Sequence, residues 1–243
     1  MPDTRPRITF KNGVCNSCQI LEEAKLDESK IDYQKRADEF KELLERIKKE
    51  SKNSTHPYDC IVPWSGGKDS SSVALRLKNE YKIKPLLVTF NPLIPTSVGE
   101  HNKKALLENG FDSIEIKSDR RVSKLLSKRF LIERGNPKLH WDAGINAGIF
   151  RTALMTGIKY IFYAEHGETH YGGRILSKDS ERIRSYEEVI ENQIGDSPDN
   201  WIEKGIISHK DLFPYLMPNE DEIKKAGIEA HYFGYYKKWN IVE

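Results

Sequence analysis

An open, mostly parallel, doubly wound α/β sheet with a helical C-terminal lid is the fold class the sequence predicts, on three observations. Short apolar runs (Cys60–Val62, Pro85–Phe90, Ser113–Ile116, Lys159–Ala164) alternate with stretches of helical periodicity, the pattern of parallel strands joined by right-handed crossovers. Pro85–Phe90 is almost continuously apolar, as a strand covered on both faces must be. A glycine turn, Ser65-Gly66-Gly67-Lys68-Asp69-Ser70, separates the first run from the helical pattern after it. Strand, glycine turn and helix start together make an anion site.

In chain order, residues 1–20 are irregular and carry Cys15-Asn-Ser-Cys18. Residues 31–49 repeat Phe40, Leu43, Leu44 and Ile47 at helical spacing, and the polar stretch Ser51–Pro57 ends that helix. Further helices are expected over 101–110, 121–133 and 141–156. The basic residues Arg120, Arg121, Lys124, Lys128 and Arg129 are expected to face solvent. Residues 181–226 read as polar helices, and His231–Tyr236 as a fifth, aromatic strand. This gives an amino-terminal segment (1–56), a nucleotide-binding α/β unit (57–180) and a helical substrate or partner region (181–243).

Bulk properties narrow the class. The 243 residues carry a net charge of only +2, although 31% are charged, so no strong field for nucleic acid is expected. No apolar run approaches a membrane span, and Met1–Arg5 has no signal-peptide core; a cytoplasmic location follows as an expectation. Three cysteines do not make a disulfide framework. Cys15 and Cys18 could share a Zn²⁺, but a structural site needs four ligands.

The glycine turn has a specific chemistry. Gly66 and Gly67 allow close backbone approach, Ser65 and Ser70 add hydroxyl donors, and Lys68 adds a point charge suited to phosphate. A carboxylate beside phosphates needs a cation between them, so Asp69 implies Mg²⁺. The Walker spacing is absent. SGGKDS instead resembles the pyrophosphatase loop of the ATP-pyrophosphatase (PP-loop) superfamily. That resemblance implies cleavage of ATP to AMP and pyrophosphate, with adenylation of an oxygen that a nitrogen or sulfur nucleophile then displaces.

Ligands of open α/β sheets lie beyond the carboxyl ends of the strands. Three segments should meet there: the glycine turn, Thr89-Phe90-Asn91, and Glu165-His166-Gly167-Glu168. The backbone after Val88 is placed to read adenine, with Phe90 either a stacking partner or core. Arg151, mid-helix among apolar neighbours, contacts either an ATP phosphate or a structural partner. Glu168 is a candidate for Mg²⁺ or for handling the incoming amine, and His166 and His170 for donating to substrate. Tyr171, Gly172 and Gly173 offer an aromatic surface beside a close backbone, as a sugar nucleotide would use.

Together, Met1–Pro6, Gly13–Cys18, Tyr58–Ser70, Leu86–Phe90, His166–Glu168, Tyr171–Gly173 and Tyr232–Tyr236 resemble the N-acetyl sugar amidotransferases, makers of amidino sugars for bacterial surface polysaccharides such as O-antigen or for flagellar glycans. The resemblance implies adenylation of an acetamido oxygen on a nucleotide-linked or nonulosonic sugar and its replacement by ammonia. It implies catalytic roles for Lys68, Asp69, Glu168 and His166. No cysteine is placed as a glutaminase nucleophile, so partners resembling the glutaminase and cyclase subunits of imidazole glycerol phosphate synthase would supply ammonia. Members commonly carry a further C-x-x-C before the segment that opens this chain, and a longer carboxyl end; the zinc site is therefore expected to be incomplete here. Two other readings stand beside this one: a tRNA sulfurtransferase, which would need a basic RNA face, and a non-catalytic nucleotide-binding scaffold.

Overall fold

The computed structural model of the chain describes residues 9–16, 18, 19, 22, 31–164, 182–190 and 198–238. A small antiparallel hairpin, β1 (Phe10–Lys11) and β2 (Val14–Cys15), turns on Asn12 and Gly13, both at positive φ (53° and 77°), as a two-residue hairpin loop demands. Helix α1 (Tyr33–Ser51) starts where the Asp32 carboxylate accepts from Lys35 N at 2.9 Å, a side-chain cap.

The main sheet is parallel throughout. Strands β3 (Cys60–Pro63), β4 (Pro85–Phe90), β5 (Asp112–Ile116), β6 (Tyr160–Tyr163) and β7 (Glu229–Tyr232) stand in the order β5-β4-β3-β6-β7. The chain grows outward from β3 to β5, then returns to lay β6 on the other side of β3. This reversal is a doubly wound switch point, and it falls between β3 and β6.

Alternate strand residues face opposite layers. Cys60, Val62, Leu87 and Phe162 pack with α1, α2 (Lys68–Asn79) and α3 (Ser97–Leu107) through Leu43, Ile47, Val73, Leu77 and Leu106. Ile61, Leu86, Val88, Phe90 and Ile161 pack on the other side with α4 (Arg120–Arg134) and α5 (Leu139–Thr156). Both faces of β3 and β4 are covered, which is why their sequences are apolar without alternation.

Three elements differ from the sequence expectation. Helix α3 begins at Ser97, not 101, because the Thr96 hydroxyl accepts from Gly99 N at 3.1 Å. The last strand covers only 229–232. Residues Phe233–Tyr236 then form a helical turn whose Gly234 N–H donates to the Ala164 carbonyl at 2.8 Å, and Tyr236 stacks on Phe40 of α1. Among the basic residues of α4, Arg121 and Arg129 do not merely face solvent. They donate to the carbonyls of Ile206 and Trp201 and pin residues 198–212 onto the α4–α5 layer.

That C-terminal region shares the core of the sheet. Trp201, Leu212 and Tyr215 sit in the same apolar cluster as β3, β4 and α5, and Ile183 makes an antiparallel bridge to His231 on β7. Among the described residues no helix is long and apolar enough to cross a membrane.

Candidate functional site

The Ser65–Ser70 turn leaves the carboxyl end of β3, the central strand, beside the switch point. Gly66 has φ +80°, and a Cβ there would lie 3.0 Å from Lys103 Cγ and 3.3 Å from the Gly99 carbonyl. Only glycine fits both the torsion and the space. Gly67 is the N-cap of α2 and supplies no side-chain cap, so the first-turn amides and the positive helix end are left for a ligand. Within the turn the Ser65 hydroxyl accepts from Gly67 N (3.2 Å), and the Ser70 hydroxyl accepts from Ser65 N (3.3 Å). The Trp64 indole N–H donates to the Ser71 hydroxyl at 3.0 Å. The curl is therefore held before any ligand arrives. Lys68 and Asp69 are solvent-accessible, with Nζ and Oδ1 3.3 Å apart.

A second set of residues was not singled out by the sequence. Lys103 of α3 is buried, its side chain only 8% exposed. Its ammonium donates to Asn91 Oδ1 at 2.9 Å and to Glu115 Oε1 at 3.3 Å, and the Asn91 amide donates to Glu115 Oε2 at 3.0 Å. These partners hold the Glu115 carboxyl below its ordinary pKa, the Asn91 hydrogen bond first and the Lys103 charge after it. A cavity of about 270 Å³ opens here, lined by Asn91, Leu93, Pro95, Glu100, Glu115 and Lys117 among others. Glu100 lines it, and the carbonyl of the neighbouring Gly99 faces Gly66 of the turn.

The sequence-derived candidates divide. Ser65, Gly66, Gly67, Lys68, Asp69, Ser70 and Asn91 lie together at the carboxyl ends of β3 and β4. Phe90 is core: its ring packs on Gly144, where a Cβ would fall 2.3 Å from it, and tilts against Tyr215. It stacks on no base from there, and its carbonyl accepts from the Trp141 indole at 3.1 Å. The Thr89 hydroxyl is buried and donates to the Trp64 carbonyl, so the Thr89 side chain ties β4 to the residue before the turn. Arg151 is corrected too. It lies in the second half of α5, toward the amino ends of the strands, and donates to the Phe213 and Leu216 carbonyls (3.3 and 2.9 Å) with its guanidinium over the Phe213 ring. Its partners are the carbonyls at the Phe213–Leu216 turn, a structural role in place of phosphate. His166, Glu168, His170, Tyr171, Gly172 and Gly173 lie outside the described residues. Ala164, at the end of β6, is placed beside the turn's strand.

For metals, Asp69 offers one accessible carboxylate beside the phosphate-ready turn, which fits Mg²⁺ held by few protein ligands plus substrate phosphates. Cys15 and Cys18 are not joined in a disulfide, and Cys18 N donates to Cys15 Sγ at 3.4 Å. Among the described residues no group of three or more His, Cys, Asp or Glu is placed to hold a metal. Two thiols fall short of a tetrahedral Zn²⁺ set.

Two further polar clusters lie away from the turn. Along the sheet edge, a cavity of about 530 Å³ is lined by Glu39, Arg46, Glu229, His231 and Tyr236 among others. Arg46 makes a two-pronged contact with Glu229 (2.9 and 2.7 Å), and His231 bridges Glu229 and Tyr236. The His231 hydrogen bond and Arg46 hold the Glu229 carboxyl down at about 2. At the carboxyl ends of β6 and β7, Arg184 is buried, donating to Tyr232 Oη (3.1 Å) and Asn146 Oδ1 (2.8 Å) beneath the Tyr163 ring.

No family model matches the chain, and no curated protein matches it. Among solved structures it is similar to a predicted subunit of tRNA methyltransferase from Methanocaldococcus jannaschii. The alignment has 23% identity, covers 63% of this chain and 71% of that one, and gives a TM-score of 0.31. A likeness that loose carries no functional argument.

Proposed function

We propose that the chain is an ATP-dependent amidotransferase of the PP-loop type, which adenylates the acetamido oxygen of a bacterial surface-glycan sugar and replaces it with ammonia. The observation that supports this most is the Ser65–Ser70 turn: an open, pre-curled anion cradle with an uncapped helix start, at the switch point of a parallel sheet.

An amide carbon is a poor electrophile with a poor oxygen leaving group, and activation solves both. The acetamido oxygen attacks the α-phosphorus of ATP, and pyrophosphate leaves with the electron pair of the α–β bridge bond. Ammonia then adds to the imidate carbon and loses a proton. The C–O bond breaks, AMP departs, and a second N–H proton loss leaves the neutral acetamidine. The turn amides and the Ser65 and Ser70 hydroxyls would bind the departing pyrophosphate. Lys68 would stabilise charge growing on the bridge oxygen. Asp69 would hold Mg²⁺, which supplies charge neutralisation at the phosphates. The 270 Å³ cavity beside Asn91 is the place for the nucleoside end.

The test is incubation with ATP, Mg²⁺, ammonium and a panel of acetamido sugar nucleotides, read by mass. Oxygen replaced by NH lowers the product mass, while sulfur insertion in a tRNA assay would raise it. Sugar-dependent pyrophosphate release should fall about 100-fold or more in Lys68→Ala, the typical loss for one preorganised charge-stabilising donor.

A further inference from the structure

The proposed reaction needs the two ends of ATP held in fixed relation, since the attacked phosphorus lies between them. The phosphate end belongs to the Ser65–Ser70 turn on β3, and the nucleoside end to the chain leaving β4. These are different strands, followed by different helices. One side chain touches both.

We propose that Lys103 is a positioning residue that couples the phosphate turn to the nucleoside wall of the site; this rests on the reading of the turn as an ATP site. Its aliphatic stem lies against Gly66, with Cγ and Cε 3.0 and 3.9 Å from where a Cβ would stand. Its ammonium fixes Asn91, the first residue beyond β4, and reaches Glu115 on β5. Asn91 is gripped from both sides, its oxygen by Lys103 and its nitrogen by Glu115. Glu100, one turn earlier on α3, adds a carboxylate 3.7 Å from the same ammonium. A lysine seldom lies this deep without such partners, and here they form a wall of the 270 Å³ cavity. The stem supports the phosphate end and the head supports the nucleoside end, so the two functions separate by atom.

That separation is testable. In Lys103→Met the stem remains and the ammonium is lost. With Mg²⁺ present, calorimetric titration should show ATP affinity reduced about tenfold, the value of one lost charge-assisted hydrogen bond, and pyrophosphate affinity unchanged within about twofold. Asn91→Ala, a change on a half-buried residue, should give the same selective loss. The double variant should lose no more than the worse single one, because Lys103 acts through Asn91. A merely structural lysine would weaken both ligands alike, or neither. Equal losses, no loss, or additive losses in the double variant overturn the proposal. If Lys103→Met does not fold, Asn91→Ala decides alone: selective loss supports coupling at this wall, and unchanged ATP affinity overturns it. Failure of the unaltered protein to bind either ATP or pyrophosphate would instead overturn the reading of the turn itself.

Discussion

Single residues carry the sharpest consequences. Gly66→Ala would put a side chain on a φ of +80° and within 3.0 Å of Lys103 Cγ. The torsion alone costs about 1–2 kcal/mol, and the displaced Lys103 stem should weaken ATP binding as well. A lowered urea midpoint together with reduced ATP affinity is the expected result, read by fluorescence and calorimetry. His140 is a second case. It is buried against Tyr215, and burial holds its pKa at about 4, down from 6.5. The unfolded chain therefore takes up a proton below pH 6.5 that the folded chain refuses until about 4. Stability from this site is complete above pH 6.5 and is lost progressively as pH falls toward 4, by up to about 3 kcal/mol. His231 is shifted down by burial too, so it adds to the same limb. Glu229, whose unperturbed value is 4.5, contributes only as pH falls below that value. His140→Phe should flatten the pH dependence of the urea midpoint between 6.5 and 4.5 without abolishing it; an unchanged slope would remove His140 from this account.

Residue-scale legibility followed sequence distance. The glycine turn could be read because its residues are consecutive, Ser65 to Ser70. Lys103, Asn91 and Glu115 could not be read as a unit, since only the β3-β4-β5 neighbourhood brings them together. Phe90 and Arg151 stayed open between two readings for the same reason. An aromatic after a strand and an arginine in an apolar helix each admit a ligand or a protein partner, and Gly144, Phe213 and Leu216 are visible as partners only after folding.

At the scale of elements, periodicity was a sound guide where one face or both faces are buried. Pro85–Phe90 was bounded correctly because its run is apolar at every position but Thr89. The start of α3 was placed too late because the cap at Thr96 outweighs the weak apolar pattern of Ser97–Glu100. The final strand was drawn too long because aromatic residues favour strands, yet Phe233–Tyr236 serve the α1 interface as a helical turn. At Gly144 the backbone of α5 lies directly against the Phe90 ring of β4. Gly144→Ala would drive a methyl to 2.3 Å from the Phe90 ring, so one element must shift. Such overpacking typically costs about 1–3 kcal/mol, and a urea titration should show it. The pairing of Gly144→Ala with Phe90→Leu should recover part of the loss, which an independent-site account would not allow.

The whole molecule explains why the candidate site lies where it does. Strand order reverses between β3 and β6, so the helices leave toward opposite faces and a crevice opens above their carboxyl ends. The glycine turn sits on one bank. The chain leaving β6 at Ala164 sits on the other, held by the Gly234 N–H. The alternation of apolar runs and helical segments was enough to foresee this layout. What it did not convey is that residues 198–216 fill the α4–α5 layer of the same core.

The most direct measurement is a crystal of the protein soaked with a non-hydrolysable ATP analogue and Mg²⁺. The β- and γ-phosphates are expected within hydrogen-bonding distance of the backbone amides and hydroxyls of Ser65–Ser70, with the nucleoside beside Asn91. An empty turn at saturating nucleotide, or phosphates seated instead at the Arg46–His231 edge, would contradict the account.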